Sequence, residues 1–415
     1  MKNDSQTTVI GAGIVGICCA LSLRQKGLSV RLIDRAAPGQ GASYGNAGVI
    51  SPWSFIPQAV PGVWKNIPGF LLKPDGPLSV EPSIWPRLIP WGLRFLVRTG
   101  EQNFRTAADA METLTLPAVD LFRQHLVGTG QEDLVADSYY VHAFRKAGRA
   151  NIDAIDYRVR KEKGADVQLI GAEELRQLEP ALSPEFEAAI LIKGQARAKS
   201  PGKIGETLAK KAAAAGVEII CDDVKSLSRN KDGNWNIVCD NDTYIGDKII
   251  VAAGAWSAEL LKPLGFDFPL LAERGYHVEF PDPGLVLENS VMDVDNKIVA
   301  SSMEGGLRVA GTSEFAAIDA PPDERRHQSL EKLSKSMLSD LNPVGTKYWM
   351  GHRPSFPDSL PVLGALPNHE GLYGAFGHSH YGLMMAPKSG QLIADIVSGT
   401  IPNTEMSPYS AERFH

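Results

Sequence analysis

Gly11-Ala12-Gly13-Ile14-Val15-Gly16 decides the fold. The stretch has the form G-x-G-x-x-G, and its surroundings give that form meaning. Residues 7–10 before it read as a short strand, and residues 17–25 after it as a helix whose small and apolar face can pack on a sheet. Gly27 ends that helix, residues 29–33 read as a second strand, and Asp34 stands at the strand's carboxyl end. In such a unit Gly11 permits the tight turn, Gly13 lets the backbone approach a pyrophosphate, and Gly16 lets helix and strand pack closely. The helix N-terminus, entered through Ile14 and Val15, offers free N–H groups and partial positive charge to phosphates. Asp34 is placed to accept hydrogen bonds from a ribose, and its charge disfavours a 2′-phosphate. A dinucleotide is therefore expected. FAD and NAD both fit this unit; NADP is disfavoured.

Working outward, the 415 residues exceed one ordinary core and suggest two intertwined domains. The chain is 43% apolar and 22% charged, ordinary values for a globular protein. Its net charge is -6 and it has no long basic run, which argues against a nucleic-acid partner. Cys18, Cys19, Cys221 and Cys239 form no C-x-x-C pair, so reduced, packed thiols in a cytoplasmic compartment are expected, and no metal site. The polar start, residues 1–8, does not read as a signal peptide. No stretch approaches the ~18 uninterrupted apolar residues of a spanning helix.

Residues 38–90 are rich in proline and glycine and lack periodicity, as a functional excursion would. Helices are expected at 91–99, 107–127, 172–178, 203–215, 329–338 and 383–397. Strands are expected at 138–143, 188–192, 217–221, 248–253, 276–280, 307–309 and 372–375, with a hairpin of 234–239 and 243–245. The two ends look Rossmann-like and the middle mixed. The expected fold is α/β with an α+β substrate domain. Residues 1–51, 195–265 and 340–415 would form a discontinuous Rossmann-like dinucleotide domain. Residues 52–194 and 266–339 would form an inserted mixed-sheet substrate domain.

Four segments in order carry a family resemblance. Asp34-Arg35 with Gly41-Ala42-Ser43-Tyr44-Gly45-Asn46-Ala47-Gly48 resembles the D-amino acid dehydrogenase branch of the D-amino acid oxidase/glycine oxidase (DAO) family. Val251-Ala252-Ala253-Gly254-Ala255-Trp256 resembles that family's strand-to-glycine segment beside FAD. Gly351-His352-Arg353-Pro354, with Pro357-Asp358 and Pro361-Val362-Leu363-Gly364, resembles its G-x-R-P…PD…P-x-x-G signature. Gly377-His378-Ser379-His380-Tyr381-Gly382 resembles its final flavin turn, except that the branch has Gly-His-Gly-Thr there. The departure puts two ring side chains near the flavin edge and leaves substrate identity open. The resemblance implies FAD rather than NAD. It also implies non-covalent FAD, since no cysteine lies beyond Cys239 for attachment near the C-terminal signature. Contacts to FAD are expected from Arg35, Ser43, Asn46, Ala47, Gly48, Ala253, Gly254, Trp256, Gly377 and His378. Val224 would read the adenine through its backbone. The helix entered at Gly382 and Leu383 would point its positive end at the flavin's N1/C2=O side.

The implied reaction moves a hydride from a D-amino acid Cα to flavin N5, giving a 2-imino acid that hydrolyses to a 2-keto acid and ammonia. The cofactor carries the hard chemistry, so no acid–base dyad is required and none is legible. Arg353 is the expected carboxylate clamp, the alternative being a structural salt bridge. Tyr276 and His277 are adjacent on a strand, so only one should face the pocket. A buried tyrosine with a satisfied hydroxyl is the competing reading. His380 and Tyr381 either touch substrate or wall the pocket. Two alternatives stand beside this one: oxidation of a secondary amine such as D-proline, hydroxy-D-proline, sarcosine or an opine, and a flavin subunit of a larger complex. The electron acceptor would be a quinone or another redox carrier. The tryptophan-rich stretch 53–91 is either a lid or an apolar surface touching the inner face of a membrane.

Overall fold

The strand Gln6–Ile10 lies inside a six-stranded sheet whose order is Val362–Ala365, Leu372–Phe376, Lys248–Val251, Gln6–Ile10, Ser29–Asp34, Glu218–Cys221. All neighbours are parallel except the edge pair Val362–Ala365 and Leu372–Phe376. The computed structural model describes residues 6–72 and 76–414. Buried on both faces, the central strands read as apolar runs. The helices Ile14–Gln25, Pro201–Ala214 and Gly382–Val397 bury Ile17, Leu208, Met385 and Ile393 in one shared core. The opposite face packs under a three-stranded antiparallel sheet, Val224–Arg229, Trp235–Cys239 and Thr243–Gly246, through Trp235, Ile237, Phe266 and Phe268. Cys18, Cys19 and Cys239 are packed inside as expected, but Cys221 is exposed.

A second, ten-stranded mixed sheet runs Lys347–Ser355, Leu271–Phe280, Gly306–Phe315, Ile298–Met303, Ser290–Asp293, Val135–Phe144, Ala188–Ala198, Val49–Ile50, with Leu78–Val80 and Val167–Gly171 at its margins. One face buries Val141, Tyr276, Val278, Val291 and Val309 beneath the helices Glu324–Met337 and Ala172–Leu178. The other face turns towards the glycine loop and forms a cavity wall. Sheet membership redraws the expected boundaries. Lys347–Ser355, Val49–Ile50 and the part of Ala188–Ala198 beyond residue 194 pair here, not with the parallel strands. Backbone pairing between segments far apart in sequence decides this, and spacing does not show it.

Two helical expectations also shift. Residues 107–127 form two helices, Glu101–Thr115 and Ala118–Leu126, because Pro117 has no N–H to continue the ladder. The helix expected at 91–99 is Trp85–Val97, with Pro86 in its first turn, where proline is tolerated, and Pro90 inside.

Candidate active site

A cavity of about 1380 Å³ separates the two sheets. Ligand pockets for drug-sized molecules span ~300–1,000 Å³, so there is room for a dinucleotide and a small substrate together. The glycine loop fits that use. At Gly11, with φ +105°, a Cβ would collide with the Ala252 carbonyl; at Gly16 it would collide with the Gly11 carbonyl. At Gly13 it would meet no protein atom, because it would project into the open cradle. The helix begins at Ile14, and no side chain caps it. Its first amides thus remain available to an anion. Gly16 is not itself a wall residue; its part is the close packing.

Asp34 lines the cavity, but its Oδ2 already accepts from the Ala12 amide at 2.6 Å and its Oδ1 from the Ala36 amide at 2.9 Å. It fixes the glycine turn and retains acceptor capacity for a ribose, since an ionised carboxylate offers about four lone-pair sites. Arg35 lies 4.0 Å over the Trp256 ring. Arg35, Ser43, Asn46, Ala47, Val224, Ala253, Gly254, Trp256, Gly377, His378, Gly382 and Leu383 all line the cavity, as do Ile14 and Val15. His378 does so with its ring fastened, Nε2 to Ser389 Oγ at 3.0 Å, and burial pushes its pKa down to about 3. Gly48 does not line it. Its amide donates to Asn46 Oδ1, and its φ of +81° turns the chain into Val49–Ile50.

At the other end, Glu273 and Arg353 face each other as a cross-strand pair. The buried Glu273 carboxylate receives Arg353 Nη1 at 3.3 Å, His380 Nε2 at 2.7 Å and Ser355 Oγ at 2.8 Å, and Ser313 Oγ also donates to it. Burial alone would raise its pKa, but His380 and Arg353 overcome that and hold it well below the usual carboxylate range. Arg353 Nη1 also donates to the Thr312 carbonyl at 2.9 Å. Among the described residues nothing accepts a hydrogen bond from Nε or Nη2, and Arg353 lines the cavity. Gly275 makes this possible, because a Cβ there would collide with the guanidinium. Tyr381 walls the cavity with its hydroxyl donated to the Ile56 carbonyl at 2.6 Å.

An FAD-dependent oxidoreductase family model, that of DAO, matches residues 6–396. The chain belongs to the DAO family. It is 35% identical over 421 residues to a D-amino-acid oxidase of Bradyrhizobium diazoefficiens, covering 100% of both chains. It is 27% identical over 420 residues to a D-amino acid dehydrogenase of Vibrio atlanticus, covering 99% of this chain and 100% of that one. Among solved structures, glycine oxidase from Geobacillus kaustophilus superposes with a TM-score of 0.75 at 20% identity, over 98% of each chain. Iminodiacetate oxidase from Chelativorans sp. BNC1 gives 0.74 at 24% identity, over 97% and 98%. These two show the shared fold. The cofactor of this DAO protein is FAD, and the glycine cradle fits it.

Two residues expected at the DAO substrate site have their polar atoms engaged away from it, although Tyr276 still lines part of the cavity wall. The Tyr276 hydroxyl donates to Glu314 and accepts from the Asp323 amide at 3.1 Å, inside the core on the far face; burial and Glu314 push its pKa up to about 12. His277 turns the other way but stops short of the cavity. It stacks on Trp349 at 5.1 Å and bonds the Gly45 carbonyl at 3.1 Å, and burial lowers its pKa to about 3. Its work is to hold the Ser43–Ala47 loop. Sequence reading missed Glu273, whose pairing with His380 is a carboxylate–imidazole dyad, and Trp349, whose ring excludes a Cβ at both Gly45 and Gly351.

Proposed function

We propose that this enzyme oxidises the CH–NH2 bond of a D-amino acid, releasing a 2-imino acid that water converts to a 2-keto acid and ammonia. The observation that carries the reading is the open Nε/Nη2 edge of Arg353 in the cavity wall. A guanidinium edge takes a carboxylate through two parallel charge-assisted bonds. FAD held by the glycine cradle would supply the hydride acceptor for the substrate Cα. Arg353 anchors the carboxylate and thereby fixes the Cα position. Glu273 holds Arg353 in place and receives Nε2–H of His380, which fixes that ring at the cavity wall. Tyr381, tied to Ile56, narrows the cavity. The 35% identity to a D-amino-acid oxidase and the 27% identity to a D-amino acid dehydrogenase support the D-amino acid class.

FAD is proposed to be held without a covalent bond. The electrons are proposed to leave to a quinone or another redox carrier that approaches over the helix Trp85–Val97. There Trp85, Leu88, Ile89, Trp91 and Leu93 line the cavity, and Trp85, Ile89, Leu93 and Val97 also expose apolar surface to water. This face is also where contact with a membrane surface would fall. Among the described residues, no helix is long and apolar enough to cross a membrane.

Arg353→Lys tests the clamp. It keeps a cation beside Glu273, so folding and FAD content should hold, while the planar fork is lost. Turnover per KM for D-amino acids should fall at least about a hundredfold, since each lost bond to a charged group costs ~1.5–3 kcal/mol. Near-normal kinetics in a flavin-loaded Arg353→Lys enzyme would remove Arg353 from substrate binding.

A further inference from the structure

Beyond the carboxylate clamp, the same cavity wall carries a second cation that neither the fold nor the clamp uses. Lys297 ends the turn between Ser290–Asp293 and Ile298–Met303, and its side chain stands in the cavity. The turn is rigid. Asp293 Oδ1 accepts from the Asp295 and Asn296 amides, its carbonyl accepts from the Lys297 amide at 2.8 Å, and its Oδ2 pairs with Arg145. Lys297 has φ 58°, a left-handed conformation that disfavours a lysine. It lies beside the strand to which the clamp is tied. Its carbonyl approaches Gly311 so closely that a Cβ there would lie 3.0 Å away. The following residue, Thr312, has φ 56° and gives its carbonyl to Arg353. Lys297 and Arg353 thus approach the same stretch of the Gly306–Phe315 strand, Lys297 through its carbonyl at Gly311 and Arg353 through its guanidinium at Thr312.

The charges leave Lys297 over. At this end of the cavity the carboxylates are Glu273, engaged by Arg353 and His380, and Asp156, engaged by Arg160 at 3.4 Å. No carboxylate lies within ion-pair distance of Lys297 among the described residues. Neighbouring donors are under-used as well. His142 Nε2 is buried without a partner, while its Nδ1 bonds the Tyr157 hydroxyl at 2.7 Å; with Tyr157 as donor, Nε2 carries the proton. Among the described residues the Tyr140 hydroxyl reaches only the Met292 sulfur, at 3.6 Å. Burial, with Arg160 and Lys297 adding to it, keeps His142 neutral. Partial desolvation lowers the Lys297 pKa, against the opposing pull of Asp156 and Asp293.

We propose that Lys297, with His142 Nε2 and the Tyr140 hydroxyl, binds a second carboxylate on the substrate, so that the preferred substrates are dicarboxylic amines. The inference rests on the amine-oxidation reading above. The second carboxylate sits either on the side chain or on the amine nitrogen, and the assay separates the two. D-Glutamate is compared with D-glutamine, and iminodiacetate with sarcosine, by kcat/KM of the FAD-loaded enzyme. Native enzyme should favour the dicarboxylate of at least one pair about tenfold or more, and the pair that shows it locates the group. Lys297→Met should reduce that preference by about ten- to a hundredfold, mainly through KM, and Lys297→Arg should keep most of it. Glutarate, which cannot be oxidised, should perturb the flavin spectrum of native enzyme and bind more weakly to Lys297→Met. Equal use of both members of each pair, or a preference untouched by Lys297→Met, overturns this inference while leaving amine oxidation standing. Reduction of the flavin by no amino or imino acid overturns both.

Discussion

Replacing Glu273 by glutamine should weaken the protein and the reaction together. The variant keeps the side chain's shape and bonds to Ser313 and Ser355 but removes the charge that faces Arg353 and His380. Glu273 is 2% exposed, so solvent does not replace what is lost. Breaking a buried ion pair from one side costs ~3–5 kcal/mol. The retained serine bonds bring the expectation to about 3 kcal/mol. For a chain of this length, with unfolding entropy of ~2.1 cal/mol/K per residue, that lowers the thermal midpoint by about 3–4 °C. The effect has a pH signature. The native pKa of Glu273 lies below the unfolded value of ~4.3, so its contribution is complete above about pH 5 and is lost as pH falls towards the depressed native pKa. The difference in midpoint between native enzyme and Glu273→Gln should therefore be largest near neutrality and shrink in acid. Calorimetry of the FAD-loaded proteins at neutral pH and near pH 4 measures it. Substrate kcat/KM should fall at least about tenfold, because Arg353 and His380 lose their common anchor. A variant as stable as native enzyme at neutral pH, or an offset that does not change with pH, would refute the reasoning.

The glycine loop should separate binding from folding. Gly13→Val projects into the open cradle and should cut FAD affinity at least about tenfold with little change in apoprotein stability, whereas Gly16→Ala, forced against the Gly11 carbonyl, should lower the apoprotein's thermal midpoint. FAD titration of apoprotein and its melting curve check both. With oxygen, peroxide should form more slowly than an artificial dye is reduced, as for a dehydrogenase; equal rates in a coupled peroxide assay would make the enzyme an efficient oxidase.

The dinucleotide half was legible because its signal is local. Gly11 to Gly16 and Asp34 lie in one continuous unit, with Gly11 and Gly16 at close backbone approaches and Gly13 facing open space. Even there the helix starts at Ile14, because the extended backbone of Gly13 serves as its N-cap. The substrate half was legible only in parts. Arg353, His380 and Tyr381 do line the cavity. Which of Tyr276 and His277 faced inwards could not be read, since a strand's alternation gives two faces without saying which is the pocket. Here the choice was moot: Glu314 holds one and the Gly45 carbonyl the other. Glu273 and Lys297 were invisible because their importance arises from pairing, Glu273 across to Arg353 and Lys297 beside Gly311. Only the assembled sheet brings those positions together.

The most direct test of D-amino acid oxidation is an anaerobic titration of the purified, FAD-loaded enzyme with matched enantiomers, followed through the flavin's visible absorbance. The account predicts rapid bleaching by at least one D-amino acid, slow or no bleaching by its L-enantiomer, and recovery of the corresponding 2-keto acid and ammonia in amounts equal to the flavin reduced. Faster bleaching by L-amino acids than by every D-amino or imino acid tested, or no bleaching by any of them, would contradict it.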